Sequence, residues 1–135
     1  MRFPSGRAIH ARSLRRDPAP DPAPHFAVYL LGRRTRAPSE VDWPSQHITW
    51  RDFGLPADRA GCIADLIECL DRCGNERVEI GCHGGRGRTG AALAAMAILD
   101  GVDPSDAVAW VRRHHHPRAV ETPWQRRWVE RQRQR

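Results

Sequence analysis

Val78-Glu79-Ile80-Gly81-Cys82-His83-Gly84-Gly85-Arg86-Gly87-Arg88-Thr89-Gly90 is the stretch whose reading decides this chain. Its first residues predict a buried strand, which delivers one cysteine into a glycine-rich loop. Five residues separate Cys82 from Arg88, and three of them are glycines. With no Cβ in the way, backbone N–H groups turn inward, and such a loop wraps a tetrahedral anion. The helix that follows points its positive end at the same place. Those fields also favour a cysteine thiolate over the thiol. The loop His83, Gly84, Gly85, Arg86, Gly87 and Arg88 therefore suits a phosphate and makes Cys82 a candidate nucleophile.

Two further segments flank this one: Trp50-Arg51-Asp52-Phe53-Gly54-Leu55-Pro56 and Glu121-Thr122-Pro123-Trp124-Gln125. With them the chain resembles the cysteine-dependent protein tyrosine and dual-specificity phosphatases, as a small bacterial-type member. Cys-x5-Arg-Thr-Gly resembles that family's signature loop, the upstream segment its mobile acid loop, and the downstream one the segment whose glutamine positions water. The resemblance implies Cys82 as nucleophile, Arg88 as a bidentate clamp on two phosphoryl oxygens, and Thr89 as the hydroxyl that hydrogen-bonds the sulfur. It implies Asp52 as general acid and Gln125 as the residue that positions the hydrolytic water. A guanidinium fork suits a phosphate face better than an ammonium does. The similarity runs from about Phe26 to the C-terminus, in the order acid loop, cysteine loop, glutamine segment. Two residues depart from the pattern. Arg51 replaces the first proline of the acid loop, and Gly81 stands where the family usually has a histidine supporting the cysteine loop. The second departure implies support from another group, with His83 as the candidate.

The residues themselves also admit plainer roles. Cys82 fits a buried structural thiol, Asp52 fits an Asx turn before Gly54, and Thr122 with Gln125 fits a capping box. Gly85-Arg86-Gly87-Arg88-Thr89-Gly90 spells a dinucleotide fingerprint. That fingerprint requires a strand after its helix, and here another helix follows. Cys62, Cys69 and Cys73 read as core thiols whose spacing matches no common zinc pattern, so neither metal nor cofactor is expected. His114-His115-His116 reads as a solvated helix end.

With 135 residues the chain makes one domain. Its net charge is +6, and all 22 basic residues are arginine. The bias towards arginine, alanine, glycine and proline is what a GC-rich genome produces, so the charge is weak support for a nucleic-acid partner. A cationic surface does favour anionic substrates. No apolar run spans a bilayer, no signal peptide is apparent, and four cysteines without one read as thiols, so a cytoplasmic protein is expected. Residues 1–24, rich in arginine and proline, are expected as an extended or flexible segment, and residues 25–135 as a single catalytic domain.

Strands are expected at Phe26–Leu31, Gln46–Trp50 and Val78–Cys82. Helices are expected over Pro56–Cys73, Arg88–Leu99, Asp103–His115 and from Thr122 onward. This pattern predicts an α/β fold with a small, mostly parallel central sheet and helices on both faces. The expected activity is hydrolysis of a phosphate monoester through a phosphocysteine intermediate, with a phosphorylated protein or small molecule as substrate and phosphate or sulfate binding in the loop. Arg86 and His83, basic side chains inside the loop, raise the alternative of a polyanionic substrate: a phosphoinositide, a nucleotide or an RNA 5′-phosphate. A catalytically weak phosphate-binding module is a further alternative.

Overall fold

The computed structural model describes residues 1–37 and 42–135. In chain order its elements are β1 His10–Ser13, β2 Phe26–Leu31, β3 Ser45–Thr49, α1 Arg59–Arg72, β4 Val78–Cys82, α2 Gly87–Leu99, α3 Ala107–His114 and α4 Pro123–Glu130. The four strands form one sheet in the order β1-β4-β2-β3, and every pairing is parallel. A parallel strand inside a layered fold is covered on both faces, so its sequence reads as a continuous apolar run. Phe26-Ala27-Val28-Tyr29-Leu30-Leu31 is such a run, and all six residues are buried.

The two faces of the sheet are covered differently. Phe26, Val28, Leu30, Ile48 and Ile80 join the main core, to which all four helices contribute. On the opposite face Ala27, Tyr29 and Leu31 pack against Leu14, Ala37 and Trp43. Helix α2 lies at the centre of the helical layer, and all 13 of its residues are buried. Its apolar sequence from Ala91 to Leu99 follows from that position. Helix α1 is one-sided instead, burying Cys62, Leu66, Cys69 and Leu70. Burial pushes the Cys62 thiol up to about 12, as expected for an inert core cysteine. No helix among the described residues is long and apolar enough to cross a membrane.

Strand β1 lies within the segment expected to run outside the sheet. It pairs residue by residue with β4, Arg12 facing Gly81 and Ser13 facing Cys82. Its residues, His10-Ala11-Arg12-Ser13, include one apolar side chain and show no buried-strand pattern. Arg12 is buried because its Nη1 lies 3.5 Å from Oε2 of Glu79, itself fully buried. The Tyr29 hydroxyl donates to the same carboxylate at 2.7 Å, and Trp43 Nε1 donates to that hydroxyl at 3.0 Å. Desolvation and the neighbouring carboxylate raise the Tyr29 pKa above the ordinary phenol range.

Helix boundaries follow the caps. Asp58 accepts from Gly61 N at 3.0 Å and starts α1 at Arg59, three residues after the expected start at Pro56. Helix α3 begins at Ala107 and not at Pro104, because the Asp103 carboxylate takes the N–H and hydroxyl of Ser105 and closes a separate turn. Helix α4 opens on a complete capping box between Thr122 and Gln125.

Candidate active site

Strand β4 ends at Cys82, and the loop after it emerges at the carboxyl edge of the sheet, where ligands of open α/β sheets bind. The loop is shaped by what happens to its carbonyls. Leu14 N donates to Cys82 O at 3.0 Å, and Arg15 N donates to His83 O at 3.1 Å. Ser13 Oγ reaches the same His83 oxygen at 3.0 Å. Arg16 Nη2 donates to Gly84 O at 2.6 Å, and His115 Nε2 contacts Gly85 O at 2.9 Å. Gly90 N in α2 takes Arg86 O at 2.7 Å. Each carbonyl from Cys82 to Arg86 thus has a donor. Among the described residues, the N–H groups of His83, Gly84, Arg86 and Gly87 make no hydrogen bond to protein. The loop is therefore a set of free amides at the start of α2, the arrangement that holds an oxyanion.

Two donors aim at the sulfur itself: Gly85 N at 3.1 Å and Thr89 Oγ1 at 2.9 Å. Such contacts suit an anionic sulfur. The glycines are required at particular points. Gly85 has φ 74°, and a Cβ there would meet the Ser13 backbone at 2.9 Å. A Cβ on Gly81 would lie 2.8 Å from Arg12 O and 3.4 Å from the Leu14 side chain. Strand β1 occupies the space a histidine would need at that position. The loop is braced by Ser13, Arg16 and His115 instead, and the exposed His83 makes no side-chain hydrogen bond among the described residues.

Arg88 is buried, and its Nη1 donates to Trp50 O at 3.0 Å. Its Nε is buried without a hydrogen bond and lies 3.6 Å from Asp52 Oδ1. A guanidinium held this way has N–H donors left for an oxyanion. Asp52 is mostly exposed and also accepts from Phe53 N at 3.0 Å. That contact is to the next residue, and Gly54 N donates to Arg51 O at 2.9 Å, so the turn closes through the backbone and no Asx turn forms on Asp52. Phe53 has φ 59°, a conformation rare for a bulky residue. Helix α4 holds it there: Trp124 Nε1 donates to Phe53 O at 2.6 Å, and Gln125 Nε2 to Gly54 O at 3.1 Å. Trp50 Nε1 donates to Gly54 O at 2.8 Å from the other side. Cys82, His83, Gly84, Arg86, Gly87, Arg88 and Asp52 line one cavity of about 170 Å³, together with Arg15, Arg16, Phe53 and Glu121.

Gln125 is fully buried, and its Oε1 accepts from Glu121 N at 3.0 Å and Thr122 N at 3.3 Å. With Nε2 on Gly54, both ends of its amide are occupied by the cap and the acid loop. The bracing residues Ser13, Arg16 and His115 do not stand out in the sequence. His115 in particular is hidden in a run of three histidines, and the signal that marks it is a fold contact across 30 residues.

Burial holds the His115 pKa below its ordinary value, against the opposing pull of the Gly85 carbonyl. The unfolded chain takes up that proton near about pH 6.5. The contribution of His115 to stability is therefore complete above that pH and lost as the pH falls from there through the folded-state value. His115→Gln retains an N–H for Gly85 O and removes the titration. Its urea midpoint is expected to fall less than the parent's between about pH 7 and about pH 5. Parallel falls in the two proteins would contradict this.

No protein-family model matches the chain. An uncharacterized protein of Methanocaldococcus jannaschii is 36% identical over 87 residues, covering 64% of this chain and 57% of its own length. A protein of Invertebrate iridescent virus 3, described provisionally as a tyrosine phosphatase, is 29% identical over 85 residues, covering 58% of this chain and 35% of its own. The chain thus spans about half the length, or less, of the curated relatives it matches. The crystal structure of Tk-PTP in the active form superposes with a TM-score of 0.66 and 27% identity, over 78% of this chain and 76% of that one. By its parallel sheet and these similarities, the chain has the fold of the protein tyrosine and dual-specificity phosphatases and is similar in sequence to a member of that superfamily, Tk-PTP.

Proposed function

We propose that the protein hydrolyses phosphate monoesters through a phosphocysteine intermediate. One observation carries this reading: the Cys82 sulfur, the free loop amides, the Arg88 guanidinium and the Asp52 carboxyl share a single small cavity. The Cys82 thiolate attacks phosphorus in line, and the bond to the leaving oxygen breaks as Asp52 gives that oxygen its proton. Loop amides and Arg88 hold the equatorial oxygens as fixed dipoles that need no reorganisation when charge shifts. Water then attacks the phosphocysteine, the ionised Asp52 takes a proton from it, and phosphate leaves the regenerated thiolate. Thr89, 2.9 Å from the sulfur, eases that departure.

Gln125 in the observed pose is a positioning residue that ties the acid loop to α4. Direct alignment of the hydrolytic water by Gln125 requires its carboxamide to leave those contacts. The test is turnover of para-nitrophenyl phosphate, with acid quenching and mass analysis of the Cys82 peptide. A phosphate adduct on Cys82 and loss of turnover in Cys82→Ser are expected. Turnover retained by Cys82→Ser would overturn the mechanism.

A further inference from the structure

Helix α4 and its C-cap carry Trp124, Arg127 and Arg131 at intervals of three and four residues, so the three share one face. That face borders a cleft of about 660 Å³, whose other wall is the start of α1 with Arg59, Ala60 and Ile63. A second cleft of about 400 Å³ continues it past Leu55, Arg59 and Trp124 to Arg51. Neither cleft includes a residue of the cysteine loop. Four arginines line this groove, and no carboxylate does. All four are exposed, and none of their side chains makes a hydrogen bond or ion pair with a described residue. Elsewhere on the same two helices arginines are neutralised: Arg126 pairs with Glu130 at 2.8 Å, and Arg72 pairs with Glu68 and Glu76, each at 3.2 Å. The positive charge of this face is thus a local arrangement and not only a consequence of composition. Trp124 stands among these arginines and is 46% exposed. Its indole N–H donates to Phe53 O at 2.6 Å, which fixes the ring in place.

A fixed aromatic face flanked by guanidiniums stacks a base while binding the phosphates on either side of it. An acidic peptide answers the charge, and so does a duplex, but an unpaired strand brings an anion and an accessible flat ring in every repeat unit. We propose that the groove between α1 and α4 binds single-stranded nucleic acid through backbone charge and base stacking, at a surface separate from Cys82. This goes beyond the hydrolase reading and does not depend on it. DNA and RNA share the chemistry.

The experiment is fluorescence anisotropy on the intact protein, with a short oligothymidylate that carries a 5′-hydroxyl and a 3′ dye. This probe offers no terminal phosphate to Cys82. The parent is expected to bind with a log–log salt slope of about −3, from four phosphate contacts at about −0.7 each. Replacing Arg127 and Arg131 together by alanine is expected to bring the slope to about −1.4. Trp124→Ala is expected to weaken binding about tenfold, the effect of one stacked base, and Trp124→Phe to restore most of it. Cys82→Ser should bind like the parent, and loss of binding there would move the contact to the cysteine loop and overturn the proposal. Absence of binding at low salt would overturn it too, as would a matched duplex bound equally well. Oligoglutamate that displaces the strand and shows the same loss in Trp124→Ala would assign the groove to an acidic peptide instead. Turnover of para-nitrophenyl phosphate without strand binding would sink the groove and leave the hydrolase reading standing. A matched oligouridylate separates the two sources: preference for one strand assigns that source, and equal binding assigns the shared strand chemistry.

Discussion

Asp52→Ala is expected to slow turnover of an alkyl phosphate by about 10²–10⁴, the usual share of a positioned general acid. The loss should depend on the leaving group. An alkoxide leaves badly without a proton, whereas para-nitrophenolate carries its own charge well, so the same variant should lose much less on para-nitrophenyl phosphate. The geometry supports this assignment because Asp52 lines the cavity of Cys82 and lies within 3.6 Å of Arg88 Nε. It is carried on a loop whose carbonyls are gripped by Trp50, Trp124 and Gln125. Arg51, in place of the proline expected from the resemblance, leaves this grip intact, since its carbonyl still closes the turn with Gly54 N at 2.9 Å. Rates on a series of phosphates with leaving groups of rising pKa provide the check. Equal losses across the series would mean that Asp52 acts on binding and not on proton transfer.

Arg12→Ala is expected to cost about 3–5 kcal/mol of stability, because it strands a buried carboxylate without its cation. Glu79 is fully buried, its Oε1 has no hydrogen bond, and Tyr29 alone would remain on Oε2. In a domain of this size that loss lowers the melting temperature by about 10 °C or more. The damage reaches the site through β1. Arg12 is followed by Ser13, which holds His83 O and packs against Gly85, so the proposed turnover of phosphate esters at ordinary temperature should fall as well. Urea titrations of Arg12→Ala, Glu79→Ala and the double variant isolate the pair. The double variant should lose less than the sum of the single variants, and strict additivity would refute the coupling.

Local chemistry made much of this protein legible. Phe26–Leu31 reads as a buried strand because a parallel strand is apolar on both sides, and Thr122 with Gln125 reads as a helix start because the cap lies within four residues. Cys82, its three loop glycines and Arg88 are likewise close in the chain, and the demand for inward amides is written in their composition. The acid loop is a different case. Asp52 is recognisable by motif, but its approach to Arg88 is created by the register of β3 and by three contacts from Trp50 and α4. Strand β1 escaped notice because a buried arginine looks like a surface one until its carboxylate, 67 residues away, is seen beside it. The same holds for the groups that brace the loop. Composition and short-range spacing determined the strand, the glycine-rich loop and the cysteine as candidate nucleophile, since those depend on neighbours in sequence. Tertiary structure alone decided that Ser13, Arg16 and His115 replace the missing histidine, and that Arg15 and Arg86 share the cavity with Cys82. Hydrogen bonds and fields act across space, and a one-dimensional pattern does not record which distant groups the fold brings within a few ångströms.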